Sequence, residues 1–383
     1  MYGPQRGASG NFQQLGIKEV VNVRHSLGTP ILRFTAAMAL LSFGALSGAS
    51  LVGCDKDKGG ASGGGAAPAA SGEGTTSAAS AKKTTIAVIP KGTTHEFWKS
   101  VHAGAVKASK EEKVDIIWKG PLKEDDLKGQ IDVVESFTSQ KVSGITLAPL
   151  SDKALVNSVT QATAAKVPVL VFDSDLASDQ QVSFVATDNL AAGKIAGQNM
   201  VKLLNGKGKV IVLRYQEGSA STAKREQGFI EAIKEAKDIE IVSDNRYAGA
   251  TTESAFAASE NLLGAQKAAA GAIQGIFTPN ESSTFGMLLA LRKANLAGKI
   301  KFVGFDGSEK LLAGLKDGHI DGLLLQNPFR MGYLSIKTMA KHLRGEPIEK
   351  RVDTGAVFIT KANMDSPDTQ EVVHPDLKTW LGE

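Results

Sequence analysis

The stretch TTIAVIPKGTTHEFWKSVHAGAVKASKEE, residues 84–112, opens a pattern that repeats along the rest of the chain. Residues 84–89 form a short run rich in β-branched and apolar side chains, which predicts a buried strand. Residues 96–112 carry apolar side chains at helical spacing, which predicts an amphipathic helix. A strand that leads through a polar segment into a helix is the first half of a βαβ unit.

The same alternation of strands and helices continues towards the C-terminus. Further strands are predicted at residues 114–118, 144–148, 167–172, 209–213, 239–243, 275–277, 301–305 and 322–325. Strands separated by helices indicate parallel sheets with helices on both faces, an α/β fold of the doubly wound type. In such sheets ligands bind at the carboxyl ends of the strands, so the polar residues after each strand are the candidates for a site.

Composition and charge limit the classes of function that are possible. The chain has 383 residues, 42% of them hydrophobic and 22% charged, enough for two ordinary globular domains. The formal charge is +4, but residues 1–53 hold four basic residues against one acidic residue, so the remainder has 40 basic and 39 acidic side chains. A nearly neutral body lacks the electrostatic footprint of a nucleic-acid-binding protein, and we expect no nucleic-acid partner.

The N-terminal segment is typical of an export signal. Residues 34–53 are uncharged and rich in small and apolar side chains, and Arg24 and Arg33 precede them. The run ends Leu51-Val52-Gly53-Cys54, which resembles the lipobox of bacterial lipoproteins, in which the cysteine is lipidated. The alternative is an uncleaved transmembrane helix, since about 20 uncharged residues could span a bilayer, although the many small residues weigh against it. Under both interpretations, the part of the protein that follows this segment is exported from the cytoplasm.

Cys54 is the only cysteine, which excludes an intramolecular disulfide and a cysteine-rich metal site. Residues 54–83 are dominated by Gly, Ala and Ser and cannot bury enough apolar surface to fold. They are predicted to form a flexible tether that reaches roughly 30 Å from a membrane.

Six polar segments stand at the expected strand ends or at a helix start. They are Lys91-Gly92-Thr93-Thr94-His95-Glu96-Phe97-Trp98, Phe172-Asp173-Ser174-Asp175, the helix start at residues 219–229, Thr278-Pro279-Asn280-Glu281, Gly304-Phe305-Asp306-Gly307 and Gln326-Asn327-Pro328. In this order and spacing, the set resembles the ribose-type periplasmic sugar-binding proteins of ABC transporters. The resemblance extends from residue 84 to about residue 360.

The resemblance implies a periplasmic binding protein type I fold, in which two doubly wound parallel-sheet lobes face each other across a cleft and three crossing segments form a hinge. The N-terminal lobe would comprise residues 84–185 and 327–353, and the C-terminal lobe residues 186–326 and 354–383. The crossings would lie near residues 186–189, 326–328 and 354–358. Several short crossings suit a hinge, because they can flex together while each lobe keeps its own core.

The resemblance also assigns sugar-binding roles in the N-terminal lobe. Phe97 and Trp98 stand at the positions of the family's aromatic residues, and His95 at the position of an amide. Asp173 matches an aspartate whose oxygens accept hydroxyl hydrogens. The alternatives are an ordinary core position for Trp98, a helix cap or a surface position for His95, and an Asx turn or helix cap for Asp173.

The C-terminal lobe would supply Arg225, Asn280, Asp306 and the aromatic Tyr247, and the hinge would supply Gln326. Arg225 would present its fork of donors to sugar oxygens, the alternative being a surface ion pair.

The sequence departs from the ribose-type pattern next to the site. Ser174 and then Asp175 follow Asp173, where that pattern has arginine, and Glu96 and Glu281 add further acid near the cleft. A more acidic site with fewer arginines suggests another pentose or hexose, a polyol or an amino sugar.

The sequence therefore predicts a non-enzymatic, lipid-anchored periplasmic binding protein that closes on a sugar or polyol and delivers it to an ABC permease in the inner membrane. It is expected to be monomeric and to need neither a cofactor nor a metal. One rival is a receptor that signals to a membrane kinase or chemoreceptor. Another is a surface glycan-acting enzyme that uses Asp173, Asp175 and Glu281 as paired carboxylates. A sugar-responsive repressor shares the two-lobe core, but its helix-turn-helix is replaced here by the lipobox and tether.

Overall fold

The computed structural model describes residues 83–382, so the predicted export signal, the lipobox and nearly all of the tether lie outside the described part. The described residues form two six-stranded sheets with helices on both faces of each. The doubly wound α/β fold predicted from the sequence is confirmed.

The first sheet belongs to the N-terminal lobe. Its strands are β1 (Thr85–Ile89), β2 (Asp115–Trp118), β3 (Gly144–Leu147), β4 (Val169–Phe172), β5 (Phe184–Ala186) and β11 (Arg351–Asp353). They are ordered β11-β5-β4-β3-β1-β2, and every pair is parallel. The helices of this lobe are α1 (Glu96–Glu112), α2 (Leu127–Ser139), α3 (Val156–Ala164) and α9 (Pro328–Leu343).

The second sheet belongs to the C-terminal lobe. Its strands are β6 (Lys207–Arg214), β7 (Asp238–Tyr247), β8 (Gly275–Phe277), β9 (Lys301–Phe305), β10 (Gly322–Gln326) and β12 (Ala356–Ile359). They are ordered β12-β10-β9-β8-β6-β7, and only β12 runs antiparallel to its neighbour among the described strands. The helices are α4 (Asn189–Leu203), α5 (Ala220–Lys234), α6 (Thr252–Ala265), α7 (Glu281–Lys293) and α8 (Glu309–Lys316).

Glycines bring the outer helices of the N-terminal lobe into close contact. A Cβ at Gly104 of α1 would lie 1.9 Å from the carbonyl oxygen of Phe329, and a Cβ at Gly332 of α9 would lie 1.9 Å from that of Val101. No side chain fits in either gap, so α1 and α9 pack backbone against backbone. This contact joins the start of the lobe to a helix that follows it by more than 200 residues in the sequence.

The chain crosses between the lobes three times, at residues 187–188, at residue 327 and at residues 354–355. Two of these crossings are bonded to each other. The Thr187 hydroxyl donates to the Gly355 carbonyl oxygen at 3.2 Å, and the Asp188 N–H donates to the Asp353 carboxylate at 3.1 Å. The resemblance to the sugar-binding family implied crossings near residues 186–189, 326–328 and 354–358.

The C-terminal tail touches both lobes. Helix α10 (Pro367–Val373) buries Val373 in the core of the C-terminal lobe, whereas α11 (Leu377–Leu381) lies against α1. Lys107 and Lys110 of α1 stand 5.8 Å and 5.2 Å from the centre of the Trp380 ring. The sequence placed all of residues 354–383 in the C-terminal lobe, but cation–π attraction holds the last turn on the other lobe. Within residues 83–382, no helix is long and apolar enough to cross a membrane.

Candidate functional site

The carboxyl ends of strands from both sheets surround a cavity between the lobes. Its lining consists of Lys91, His95, Phe97, Trp98, Glu124, Asp173, Tyr215, Ser221, Thr222, Arg225, Asn280, Glu281, Asp306 and Gln326. The lobes are drawn together over it, since its volume of about 30 Å³ has room for about two water molecules. Eight of the nine residues predicted from the sequence belong to this lining.

Tyr247 is the exception. It ends β7, the edge strand of the second sheet, and is 42% exposed. It pairs in register with Arg214 at the end of β6, and the residue after Arg214 is Tyr215, which is 1% exposed and lines the cavity. The C-terminal lobe thus supplies its cavity aromatic from the inner strand rather than from the edge strand.

Asp173 follows β4 and is paired with a buried lysine. Its carboxylate lies 3.0 Å from Nζ of Lys91, and both side chains are about 95% buried. The same ammonium group donates to the hydroxyls of Ser219 at 3.3 Å and Ser221 at 3.1 Å, which belong to the C-terminal lobe. The carboxylate therefore faces the cleft with its charge balanced by Lys91.

Asp306 follows β9 and is held by two donors. Its Oδ1 accepts from the Gln326 amide at 2.9 Å, and its Oδ2 accepts from the Glu281 N–H at 2.8 Å. Burial raises the pKa of this carboxyl, and the charge of Arg225 opposes that rise. Asp306 and Asp173 have φ values of 69° and 61°, in the left-handed region. Such backbone strain is concentrated at functional sites, where it aims a side chain.

Arg225 lies in the first half of α5 and is 2% exposed. Its Nε donates to Asn189 at 2.7 Å, its Nη1 donates to the Pro279 carbonyl oxygen at 3.0 Å, and the guanidinium stands 4.4 Å from the centre of the Phe305 ring. Gly193 of α4 makes room for this turn of α5, since a Cβ there would lie 2.1 Å from the Arg225 carbonyl oxygen. A surface ion pair, the alternative for Arg225, does not describe this buried position.

Two buried polar atoms at the cavity have no hydrogen-bond partner within the described residues. They are Nη2 of Arg225 and Oε1 of Gln326. A buried donor or acceptor left unpaired costs about 1–3 kcal/mol, so these atoms are poised for a polar ligand. Asn280 lines the same cavity and has a second role, because its side chain caps α7 by accepting from the Ser283 N–H.

Glu124, which the sequence analysis did not select, is the centre of a buried network. One of its oxygens accepts from the Trp98 indole at 2.7 Å and lies 2.5 Å from Nδ1 of His95. The other oxygen accepts from the Tyr215 hydroxyl at 2.5 Å, which joins the two lobes. Trp98 is thus a buried residue whose indole N–H is hydrogen-bonded. Phe97 packs edge-to-face against it, with 4.9 Å between the ring centres.

Opposite charges shift the pKa values of His95 and Glu124 apart. Burial alone would lower the pKa of His95, but attraction and hydrogen bonding to Glu124 raise it to about 9. Burial would raise the pKa of Glu124, yet His95 and, less strongly, Lys91 lower it to about 2. At neutral pH the two side chains therefore form a buried ion pair.

Glu281, one of the additional acids noted in the sequence, lies where the lobes meet. Burial raises its pKa to about 7, opposed by the charge of His95. Its carboxylate accepts from the backbone N–H groups of Glu96 at 3.3 Å and Phe97 at 3.2 Å in the other lobe.

Three of the cavity residues that were not predicted, Tyr215, Lys91 and Glu124, were missed for different reasons. Tyr215 directly follows β6, so the strand-end rule applied one residue further along would have found it. Lys91 begins the polar segment after β1, but a lysine in such a segment usually faces solvent. Glu124 lies in the charged loop before α2 and carries no pattern that separates it from its exposed neighbours Lys123 and Asp125.

Comparison with known proteins identifies the two-lobed arrangement. Residues 86–347 match the model of the family described as periplasmic binding protein domain. The chain belongs to this family. Among the described residues, no group of side chains could hold a metal ion.

Relatives of this periplasmic binding protein agree with the resemblance seen in the sequence. The chain is 30% identical over 228 residues to the ribose import binding protein RbsB of Haemophilus influenzae, covering 60% of this chain and 75% of the relative. It is 27% identical to the D-ribose/D-allose-binding protein of Pseudomonas aeruginosa, covering 70% and 84% of the two chains. The predicted resemblance to ribose-type sugar-binding proteins is confirmed.

Solved structures extend the match over the whole length of their chains. A carbohydrate transporter solute-binding protein from Agrobacterium radiobacter in complex with D-arabinose is 34% identical, with a TM-score of 0.73 and coverage of 77% of this chain and 100% of the other. A solute-binding protein of an ABC transporter from Agrobacterium vitis with bound D-fucose is 35% identical, with a TM-score of 0.72 and coverage of 76% and 100%. These relatives are binding proteins, in agreement with the prediction that the chain is not an enzyme.

Proposed function

We propose that this protein is the substrate-binding lipoprotein of a sugar ABC importer, which captures a monosaccharide or a related polyol between its lobes. The observation that carries the proposal is the buried cavity at the lobe interface, where Arg225 and Gln326 each keep one polar atom without a partner among the described residues. A ligand that bonds both lobes binds the closed state better than the open state, and so shifts the balance towards closure.

The lining matches the chemistry of a sugar. Each hydroxyl is both a donor and an acceptor, and the carboxylates of Asp173 and Asp306 accept while Arg225 donates. Phe97 and Trp98 offer apolar faces for the C–H groups of the ring. His95, Asn280 and Gln326 complete the proposed binding set, with Tyr215 in the place expected for Tyr247.

The charges of the lining favour a neutral ligand. Four carboxylates face the cavity, and Lys91, Arg225 and protonated His95 offset three of them. Burial raises the pKa of Glu281 to about 7, so the lining is close to electrically neutral at neutral pH. Because it has no large excess of positive charge, it disfavours a sugar acid or a sugar phosphate. The D-arabinose and D-fucose held by the two solved relatives are neutral sugars of the proposed class.

The N-terminal segment supports delivery at a membrane. Lipidation of Cys54 would anchor the protein on the periplasmic side, and the Gly/Ala/Ser tether would let the closed lobes reach an ABC permease.

Thermal unfolding of the full chain in detergent, with a panel of pentoses, hexoses, polyols, amino sugars and sugar acids, tests the proposal. Ligand at about 100 times its Kd stabilises by about 2.7 kcal/mol, which raises the Tm of about 300 folded residues by roughly 4 °C. We expect a rise with one group of neutral sugars and none in Arg225→Ala. A rise with sugar acids alone, or the same rise in the variant, would contradict the proposal.

A further inference from the structure

Three helices that begin at the cleft have no capping side chain from their own lobe. In α1, α5 and α8 the N-cap residues are His95, Ser219 and Ser308, and none of them accepts a hydrogen bond from its helix. Six other described helices are capped by their own N-cap residue, namely α2 by Asp126, α4 by Asp188, α6 by Thr251, α7 by Asn280, α9 by Asn327 and α11 by Asp376. The first N–H groups of a helix need an acceptor from outside the helix.

The missing acceptors come from the opposite lobe. The Glu281 carboxylate accepts from the first two N–H groups of α1, at 3.3 Å and 3.2 Å. In the reverse direction, the carboxylate of Glu96 on α1 accepts from the Glu309 N–H of α8 at 2.8 Å. Ser174 of the N-terminal lobe accepts from the Ser221 N–H of α5 at 3.1 Å.

These three acceptors are among the residues at which the sequence departs from the ribose-type pattern, the other being Asp175. We propose that Glu96, Glu281 and Ser174 are positioning residues that cap helices across the cleft and thereby set the balance between closed and open lobes. The inference rests on the proposed function, in which the lobes separate to admit a sugar. Glu96 and Ser174 cap helices but do not line the cavity. Glu281 caps a helix and also lines the cavity.

The geometry explains why these caps act on closure rather than on folding of either lobe. A cap within one lobe is kept when the lobes separate, but each of these bonds joins atoms of different lobes and breaks on opening. Loss of a capping side chain weakens the capped state by about fivefold, which corresponds to about 1 kcal/mol. Charge adds to the effect, because a carboxylate near a helix N-terminus is favoured by the helix dipole.

Amide hydrogen exchange of the full chain, resolved to single amides and measured without added sugar, tests the proposal with Glu96→Ala and Ser174→Ala. If the caps set closure, loss of either one opens the cleft as a whole. Glu96→Ala should then speed exchange about fivefold at Glu309, and also at Ser221, whose cap is untouched. Ser174→Ala should do the same at Ser221 and at Glu309.

Two control variants separate closure from local effects. Asp126→Ala removes the cap of α2 within one lobe, and Glu309→Ala removes a carboxylate beside the cleft but keeps the N–H that Glu96 binds. Both should leave exchange at Ser221 unchanged. Exchange in β1 and β6 should be the same in every variant, which shows that the lobes remain folded.

Faster exchange confined to the helix whose cap was removed would overturn the proposal, since it would show that the caps are local. Sugar-binding kinetics give an independent readout, because a sugar enters only the open state and its association rate is therefore proportional to the open fraction. With D-arabinose as the probe, Glu96→Ala should speed association about fivefold. If no sugar binds the wild-type chain, the proposed function fails while the exchange experiment still decides whether the caps control closure.

Discussion

The Glu124 network yields a prediction with a definite pH signature. In Glu124→Gln, His95 loses the carboxylate that raises its pKa from 6.5 to about 9, and burial then keeps the imidazole neutral. The difference between these two pKa values corresponds to about 3 kcal/mol of folding free energy. Because His95 has the higher pKa in the folded state, this contribution is fully present below pH 6.5 and is lost as the pH rises through 9.

At pH 6.5 we therefore expect Glu124→Gln to lower the free energy of unfolding by about 3 kcal/mol. For about 300 folded residues this lowers the Tm by roughly 5 °C. The gap between wild type and variant should narrow steadily from pH 7 to pH 10. Differential scanning calorimetry across this range measures it, with Glu309→Gln as an exposed carboxylate control whose Tm stays within about 1 °C of wild type.

A gap that stays constant from pH 6 to pH 10 would refute the reasoning, because it would mean that the buried pair carries no proton-linked energy. The acidic pH range provides a second check on the same ion pair. The pKa of Glu124 is lowered to about 2, so the gap between wild type and variant should also narrow as the pH falls from 4.5 towards 2.

Three further outcomes are expected. Asp173→Asn and Asp306→Asn should each weaken sugar binding about 10- to 100-fold in titration calorimetry, since each removes a charged acceptor from one lobe; unchanged affinity in both would remove these carboxylates from the site. Gly332→Ala should cost about 1–3 kcal/mol in urea unfolding, because its Cβ would lie 1.9 Å from the Val101 carbonyl oxygen, and a neutral result would show that α1 and α9 can separate freely. Cys54→Ala should move the protein from the membrane to the soluble fraction with an unchanged circular dichroism spectrum; persistence in the membrane would favour an uncleaved transmembrane helix.

The sequence predicts the long elements of this protein better than its short ones. The longer strands carry runs of apolar and β-branched side chains and alternate with amphipathic helices, and every strand predicted from such a run is present. The short strands β5, β11 and β12 were not predicted, whereas β8, also of three residues, was; pairing with neighbours already in place defines the three that were missed. Their existence depends on the sheet rather than on local preference.

The residues of the site also differ in how well the sequence predicts them. Asp173, Asn280 and Asp306 follow strands of parallel sheets, so topology alone brings them to one edge. Glu124 becomes functional only because the fold buries it beside His95 and across from Tyr215, a distant residue in the other lobe. Such partnerships depend on how the lobes meet, which no local pattern in the sequence encodes.

The C-terminal tail limits the motion of the lobes. Val373 is anchored in one lobe and Leu377 begins the helix that lies on the other, with only three residues between them. Four Cα-to-Cα steps span at most about 14 Å when fully extended. The lobes can therefore swing apart on this side only within that radius unless α11 leaves α1, so the tail acts as a mechanical stop on the amplitude of opening.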